Sequence, residues 1–346
     1  MKPPRQPWLR TALAPLGWLY GTWVAHRNAH YDRPGANEAV CVPVVSVGNL
    51  SAGGTGKTPM VRWLAETMLD RGVPTAIVSR GYGGSARAGP VVVSEGDGVR
   101  CDAAVAGDEP WMLANALDGV IVVVGSKRIA AARKAVELGA RLILLDDGFQ
   151  HRALARNLDI VLVDRTRPFV ADRLLPAGLL REPSSSLARA DWIVITRSAS
   201  ADGAEALHDA IRAANPVAPV LHADHRSAAF RDARGDVAER PTRAVAFCAI
   251  GNPDRFRSDL EGLGVSIAAF QAYTDHRSID EATLARLRRR ATDADAALVT
   301  TEKDLARIGH ANGCRVGLIV LPIRTVVCEG ERLIEAIERI ATGQPR

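Results

Sequence analysis

The chain has 346 residues, 47% of them hydrophobic and 24% charged, which provides for one large or two ordinary globular domains and excludes a disordered or fibrous chain. Its five cysteines (Cys41, Cys101, Cys248, Cys314 and Cys328) are odd in number, scattered and never in a C-x-x-C pair, so they argue against a disulfide framework or a zinc site and suit a reducing compartment. Of the net charge of +5, four units fall within the first 33 residues (Lys2, Arg5, Arg10, Arg27 and Arg33 against Asp32), so the rest is nearly neutral and no spread-out nucleic-acid footprint is expected.

That basic segment also holds Trp8, Trp18 and Trp23, three of the six tryptophans. Apolar residues recur at Leu9, Ala12, Leu13, Leu16, Leu19, Tyr20, Trp23 and Val24, which is helical spacing. The uncharged run 11–25 is interrupted by Pro15, Gly17 and Gly21 and falls short of the roughly 20 residues a spanning helix needs. A basic, Trp-rich amphipathic helix lying in a membrane interface is the expectation. Packing on the protein's own core is the alternative. A signal peptide fits less well, because a nucleotide-type site follows directly.

From residue 42 onward, apolar strand-like runs alternate with helical patterns. Strands are predicted at 42–47, 75–79, 120–124, 142–145, 160–163 and 192–196, with helices near 58–71, 127–138 and 202–214. Continuous apolar strands with helical crossovers predict a parallel sheet covered on both faces. Residues 217–242 change to short polar alternation around a Gly235-Asp236 turn between Pro216 and Pro241, which reads as a hairpin linker. A second α/β series follows, with strands at 244–249, 265–270, 296–300 and 316–321 and helices near 253–262, 279–290 and 329–341. The expected organisation is an N-terminal amphipathic segment (1–35), a nucleotide-binding α/β domain (36–216), a hinge or hairpin linker (217–242) and a smaller α/β domain (243–346).

"VSVGNLSAGGTGKTPM" (45–60) is a strand, a glycine-rich turn and a helix start, the arrangement of a phosphate-binding loop. There, backbone N–H groups face the phosphates, Lys57 reaches the β- and γ-oxygens and the Thr58 hydroxyl meets Mg²⁺. Asn49, Ser51, Ala52, Gly53, Gly54, Thr55 and Gly56 complete the candidate ATP contacts. The strict pattern wants glycine where Ser51 stands, so the match is to the variant G-G-x-G-K-T loop. "RLILLDDGFQH" ends a strand in Asp146-Asp147, an adjacent pair that repels itself without a cation; a polar turn is the plainer alternative. "AGDEP" places Asp108 and Glu109 before a helix, as a cap or as a base and metal ligand.

With these motifs in hand, the chain resembles the tetraacyldisaccharide 4'-kinases of lipid A biosynthesis. The resemblance rests on GGTGKTP (53–59), SRGYGG (79–84), GDEP (107–110), DDGFQH (146–151), PAGLLREP (176–183), GNPDRF (251–256), TDH (274–276) and TTEKD (300–304), in order along nearly the whole chain. It implies ATP- and Mg²⁺-dependent transfer of the γ-phosphate to the 4'-hydroxyl of an acylated glucosamine disaccharide 1-phosphate. It also implies a P-loop NTPase-like parallel-sheet domain and a smaller α/β domain with the reaction between them. The expected location is the cytoplasmic face of a bacterial inner membrane, peripheral or monotopic, against an anionic lipid surface. By resemblance Asp108 matches the catalytic base and His276 its dyad partner, while Glu109, Asp146 and Asp147 match the metal-binding acids. Arg80, Tyr82, Arg128, Gln150, His151 and Arg181 are candidates for contacting the substrate or the transferred phosphate. The family often has a second histidine after that of TDH; here Arg277 stands there.

Two rival classes share parts of the pattern. A partitioning-type ATPase switch would place a lysine where Ala52 stands, and a GTPase-like metal-insertion factor would carry an N-K-x-D motif, which is absent.

Overall fold

The computed structural model describes residues 7–85, 89–274, 277, 279–308 and 315–343. Helices α1 (Pro7–Ala12) and α2 (Ala14–Tyr31) precede β1 (Val44–Asn49) and α3 (Lys57–Asp70). The chain continues through β2 (Thr75–Ser79), β3 (Val91–Glu95), α4 (Ala103–Ala106), α5 (Asp108–Ala116), β4 (Ile121–Val124), α6 (Arg128–Glu137), β5 (Leu142–Asp146), β6 (Leu158–Asp164), β7 (Trp192–Thr196), α7 (Glu205–Ala214) and β8 (Val220–Ser227). Then follow β9 (Arg231–Asp232), β10 (Arg243–Cys248), α8 (Pro253–Gly262), β11 (Ser266–Ala272), α9 (Glu281–Asp293), β12 (Ala297–Thr301), α10 (Glu302–Arg307), β13 (Leu318–Leu321), β14 (Ile323–Cys328) and α11 (Glu331–Ala341).

The nine-stranded sheet has the order β14-β8-β7-β6-β1-β5-β2-β4-β3, parallel except at its two edge strands. β1, β2, β4, β5, β6 and β7 are buried along their whole length, which is why each reads as a mainly apolar run, with Ser46 and Asp159 as buried polar exceptions inside them. α3 covers one face with Met60, Val61, Leu64, Ala65 and Met68, spaced as one helical stripe. The smaller sheet, β11-β10-β12-β13-β9, is parallel apart from β9.

The domain boundaries differ from those expected. Within 217–242 there is a local turn, an antiparallel bridge between Arg231 and Val237 around Gly235. Val220–Ser227, however, is a full strand of the large sheet, and β9 joins the small one. The C-terminus then returns: β14 pairs with β8, and α11 buries Leu333, Ile334 and Ile337 beside Leu64 and Met68. The large unit thus runs to about residue 227 and resumes near 323. Period-two and period-3.6 patterns specify the kind of element but not which sheet it joins.

The N-terminal helix has two different faces. Gly17 and Val24 are buried, and a Cβ at Gly21 would come within 2.8 Å of Leu174 Cδ1, so this side lies on the 172–182 loop. Trp8, Leu16, Trp18, Leu19 and Trp23 are each more than half exposed. On α2, docking on the protein and presentation of an apolar face are therefore both present, and Trp8 of α1 is exposed as well. Arg10 and Arg27 are ion-paired with Asp172 and Glu182, while Lys2 and Arg5 lie outside the described residues. No helix among the described residues is long and apolar enough to cross a membrane.

Candidate active site

The loop between β1 and α3 lies at the carboxyl end of the sheet. Gly56 takes φ 88° at the start of α3, and a Cβ there would stand 2.6 Å from Nε2 of His225, so glycine is required by both conformation and space. Asn49 is fully buried; its Nδ2 donates to the Ser51 carbonyl at 2.6 Å and to Thr55 Oγ1 at 2.9 Å. Its Oδ1 accepts from Lys57 Nζ at 3.2 Å, so one amide braces both the loop and its lysine. Ser51 bridges Leu180, and the Ala52 N–H donates to the Leu179 carbonyl at 2.7 Å, laying the PAGLLREP segment along the loop. Gly53 and Gly54 face open space, and Thr58 is buried in the first turn of α3.

β5 pairs with β1 in register Val47↔Asp146, which brings the two acids beside this loop. Asp146 is buried at the strand end, and among the described residues its Oδ1 accepts no hydrogen bond. Asp147 turns away at φ 54°. Its oxygens accept from Arg181 Nη1 at 2.8 and 2.9 Å, and Lys57 Nζ lies 3.4 Å from Oδ1. Burial alone would raise the Asp147 pKa, but Lys57 and Arg181 outweigh it and hold the carboxyl below its ordinary range. Asp146 goes the other way: burial, Glu109 and Asp147 push it up to about 7. The two adjacent acids are therefore distinct: cations prevail at Asp147, while at Asp146 burial and the neighbouring carboxylates outweigh Lys57 and Arg128.

An acid whose pKa rises on folding contributes stability that is complete below the unfolded value and lost as pH climbs through the folded one. For Asp146 that window runs from the ordinary 3.8 to about 7. In chelator-treated protein, Tm is expected to decline across this range, with Asp146 contributing at most about 1.4 kcal/mol per pH unit. Asp146→Asn should flatten the decline. Thermal scans at several pH values are the check, and an unchanged slope in the variant would eliminate Asp146 as the titrating group.

Glu109, in the first turn of α5, acts on Asp146 and raises its pKa, and Asp108 is its neighbour in that turn. Gly107 precedes them at φ 91°, where a Cβ would fall 2.6 Å from the Tyr82 carbonyl, so SRGYGG and GDEP touch backbone to backbone. Asp108 is not a cap: the N-cap is Gly107, with no side-chain capping bond. Instead, Asp108 Oδ2 accepts from Arg307 Nε of α10 at 2.7 Å. His276, the expected dyad partner, lies outside the described residues.

The remaining candidates form a cationic wall. Arg128 begins α6, donates to the Gly125 and Ser126 carbonyls and is only 5% exposed; burial and Arg80 push it down to about 10, so it stays charged at neutral pH. His151 is pushed down to about 4 by burial and by Arg128, Arg156, Arg80 and Arg27, and is therefore neutral. Gln150 Nε2 donates to the Asn49 carbonyl at 2.9 Å and ties this wall to the phosphate loop. Tyr82, whose carbonyl touches Gly107, is 82% exposed.

Three side chains that sequence reasoning missed close the other flank. Thr196 Oγ1 donates to the Thr55 carbonyl at 2.9 Å, Arg197 Nη2 donates to the Gly54 carbonyl at 3.0 Å and pairs with Asp164, and His225 backs Gly56. The Thr-Arg pair at the end of an apolar strand was a usable signal for the first two. Nothing local marked His225, which lies in the stretch read as a linker.

This arrangement has close counterparts. The family model described as Tetraacyldisaccharide-1-P 4'-kinase matches residues 9–342. The chain is 40% identical to the tetraacyldisaccharide 4'-kinase of Syntrophotalea carbinolica, over 97% of this chain and 94% of that protein. It is 41% identical to that of Anaeromyxobacter dehalogenans strain 2CP-C, over 95% and 93% of the two. Among solved structures it matches LpxK from Aquifex aeolicus, described as an "apo" form in complex with ATP, with a TM-score of 0.77, 30% identity and coverage of 96% of this chain and 99% of that one.

Proposed function

This chain belongs to the tetraacyldisaccharide-1-P 4'-kinase family, and we propose on that premise how its own residues carry the reaction. It is an ATP-dependent kinase that phosphorylates the 4'-hydroxyl of an acylated disaccharide 1-phosphate, giving the bis-phosphorylated lipid A precursor. The observation that carries the residue roles is the network Asn49–Lys57–Asp147–Arg181 at the mouth of β1, beside a buried Asp146 oxygen without a partner. The first half of the network holds phosphates; the orphaned oxygen calls for a cation.

The candidate donors Asp146, Glu109 and the Thr58 hydroxyl, with Asp147 beside them but already paired to Arg181 and Lys57, are all oxygens, the ligand chemistry Mg²⁺ takes. No three His, Cys, Asp or Glu side chains among the described residues are spaced to hold a metal unaided, so phosphate oxygens and water would have to complete the coordination. Bound there, Mg²⁺ would neutralise charge on the β- and γ-phosphates. Lys57 and the loop amides cradle the phosphates, with Arg197 and Thr196 bracing the loop from behind. Asp108 takes the proton of the 4'-hydroxyl, whose oxygen bonds to the γ-phosphorus as the bond to the β–γ bridging oxygen breaks and ADP leaves. Arg80 and Arg128, with neutral His151 between cations, face the anionic groups of the acceptor.

The acceptor's acyl chains keep it in a bilayer, and the exposed Trp8, Trp18, Leu19 and Trp23 face supports an interfacial approach at the cytoplasmic side, where ATP is available. The test follows transfer from ATP to acylated disaccharide presented in anionic vesicles or dispersed in detergent, for wild type and Trp18→Glu/Trp23→Glu. The substitutions should release the protein from vesicles and raise KM for vesicle-borne acceptor several-fold, leaving the detergent rate and Tm unchanged. Continued vesicle co-sedimentation of the double variant would place the membrane contact elsewhere. Failure of wild type to phosphorylate the dispersed disaccharide would overturn the proposed chemistry.

A further inference from the structure

One buried cation at the site has no part in the roles above. Arg307, the last residue of α10, has a side chain 3% exposed. Its Nε donates to Asp108 Oδ2 at 2.7 Å, and its Nη1 donates to the Ala249 carbonyl at 2.7 Å and lies 3.4 Å from Asp304 Oδ1. Asp304 is fully buried and held in turn: Oδ1 accepts from the Ala249 N–H at 3.1 Å, and Oδ2 from the hydroxyl of Thr301, the N-cap of α10, at 2.6 Å. The guanidinium is thus fixed by the second sheet before it meets Asp108. Asp108 keeps a third of its side chain exposed, and among the described residues its Oδ1 accepts no hydrogen bond.

We propose that Arg307 is a positioning residue for phosphoryl transfer, clamping one oxygen of Asp108 so that the other is presented to the acceptor hydroxyl. The proposal rests on Asp108 being the base. A carboxylate at a helix start, one-third exposed, has rotamers to choose among; a charge-assisted bond from a pre-set guanidinium selects one of them. Proton acceptance depends on such orientation, so the loss should fall on turnover rather than on binding. The clamp also makes the base's geometry depend on the second sheet being seated. Two neighbouring contacts fasten that seating: Arg62 Nη1 to Glu302 Oε1 at 2.7 Å, and Arg315 over the Trp111 ring at 4.5 Å. A lysine at 307 would keep the charge but lose the fork that holds Ala249 and Asp108 together.

The experiment is a double-mutant cycle in the full-length protein with Arg307→Gln, Asp108→Asn and both, reading kcat and KM for ATP and for detergent-dispersed acceptor. Arg307→Gln alone should lower kcat by about 10- to 30-fold with both KM values within about 2-fold, and should cost almost nothing further in the Asp108→Asn background. Arg307→Lys should recover part of the loss. If Arg307→Gln lowers Tm enough to obscure the result, Arg307→Lys carries the same cycle, with a few-fold kcat loss expected only when Asp108 is present. An equal loss in both backgrounds would mean a purely structural role and overturn the proposal; so would unchanged or raised kcat in Arg307→Gln. If Asp108→Asn alone costs less than about tenfold, the base reading itself has failed, a result visible without any Arg307 variant.

Discussion

Lys57→Ala is expected to lower phosphoryl transfer by at least about 10²-fold, the scale of losing one preorganised charge at the developing transition state. Nζ sits between the Asn49 amide oxygen and Asp147, with the side chain 13% exposed, so its charge is aimed and only weakly screened. The fold should survive. Alanine is a good residue for the first turn of α3, and Asp147 keeps both hydrogen bonds from Arg181. Asn49 also retains its two bonds within the loop. Steady-state transfer, with ATP affinity measured separately and Tm as a control, is the check. Turnover above a tenth of wild type would remove the loop from the chemistry.

Asp108→Asn should reduce kcat by about 10²–10⁴, the usual contribution of a positioned general base, with ATP affinity little changed. Asparagine is chosen over alanine because of Arg307. Truncation would strip a nearly buried guanidinium of its shorter-range carboxylate partner, leaving Asp304 at 3.4 Å, and confuse a catalytic loss with a structural one. The amide oxygen of asparagine can still accept from Arg307 while being unable to take a proton. If ATP affinity drops and kcat holds, Asp108 belongs to the nucleotide or metal contacts. A Tm close to wild type must accompany the result for either conclusion to stand.

Much of this site was legible because its parts are local. The phosphate loop needs a strand end, glycines at left-handed or crowded positions and a helix start, and all are contiguous in 45–60. Asp146-Asp147 likewise announces itself as a charged pair closing an apolar run, and parallel register with β1 then carries it to the loop. The alternation of such runs with helical stripes also determined the α/β class, since strands buried on both faces are mainly apolar on both.

Tertiary structure alone decided the rest. Sequence could not separate Asp146 from Asp147; the reversal of backbone at Asp147, φ 54°, sends one to Arg181 and Lys57 and leaves the other buried. Nor could it join Arg307 to Asp108 or Arg197 to Gly54, because the partners stand 199 and 143 positions apart and side-chain contact at that range depends on how elements dock. The same reason explains the returning β14 and α11, whose patterns state strand and helix without stating which sheet receives them. The N-terminal helix is the clearest case. Its apolar residues read as one helical stripe, and a stripe can meet a bilayer or the protein's own core; only the position of the 172–182 loop against Gly17 and Gly21 settled which side is buried and left the tryptophans facing out.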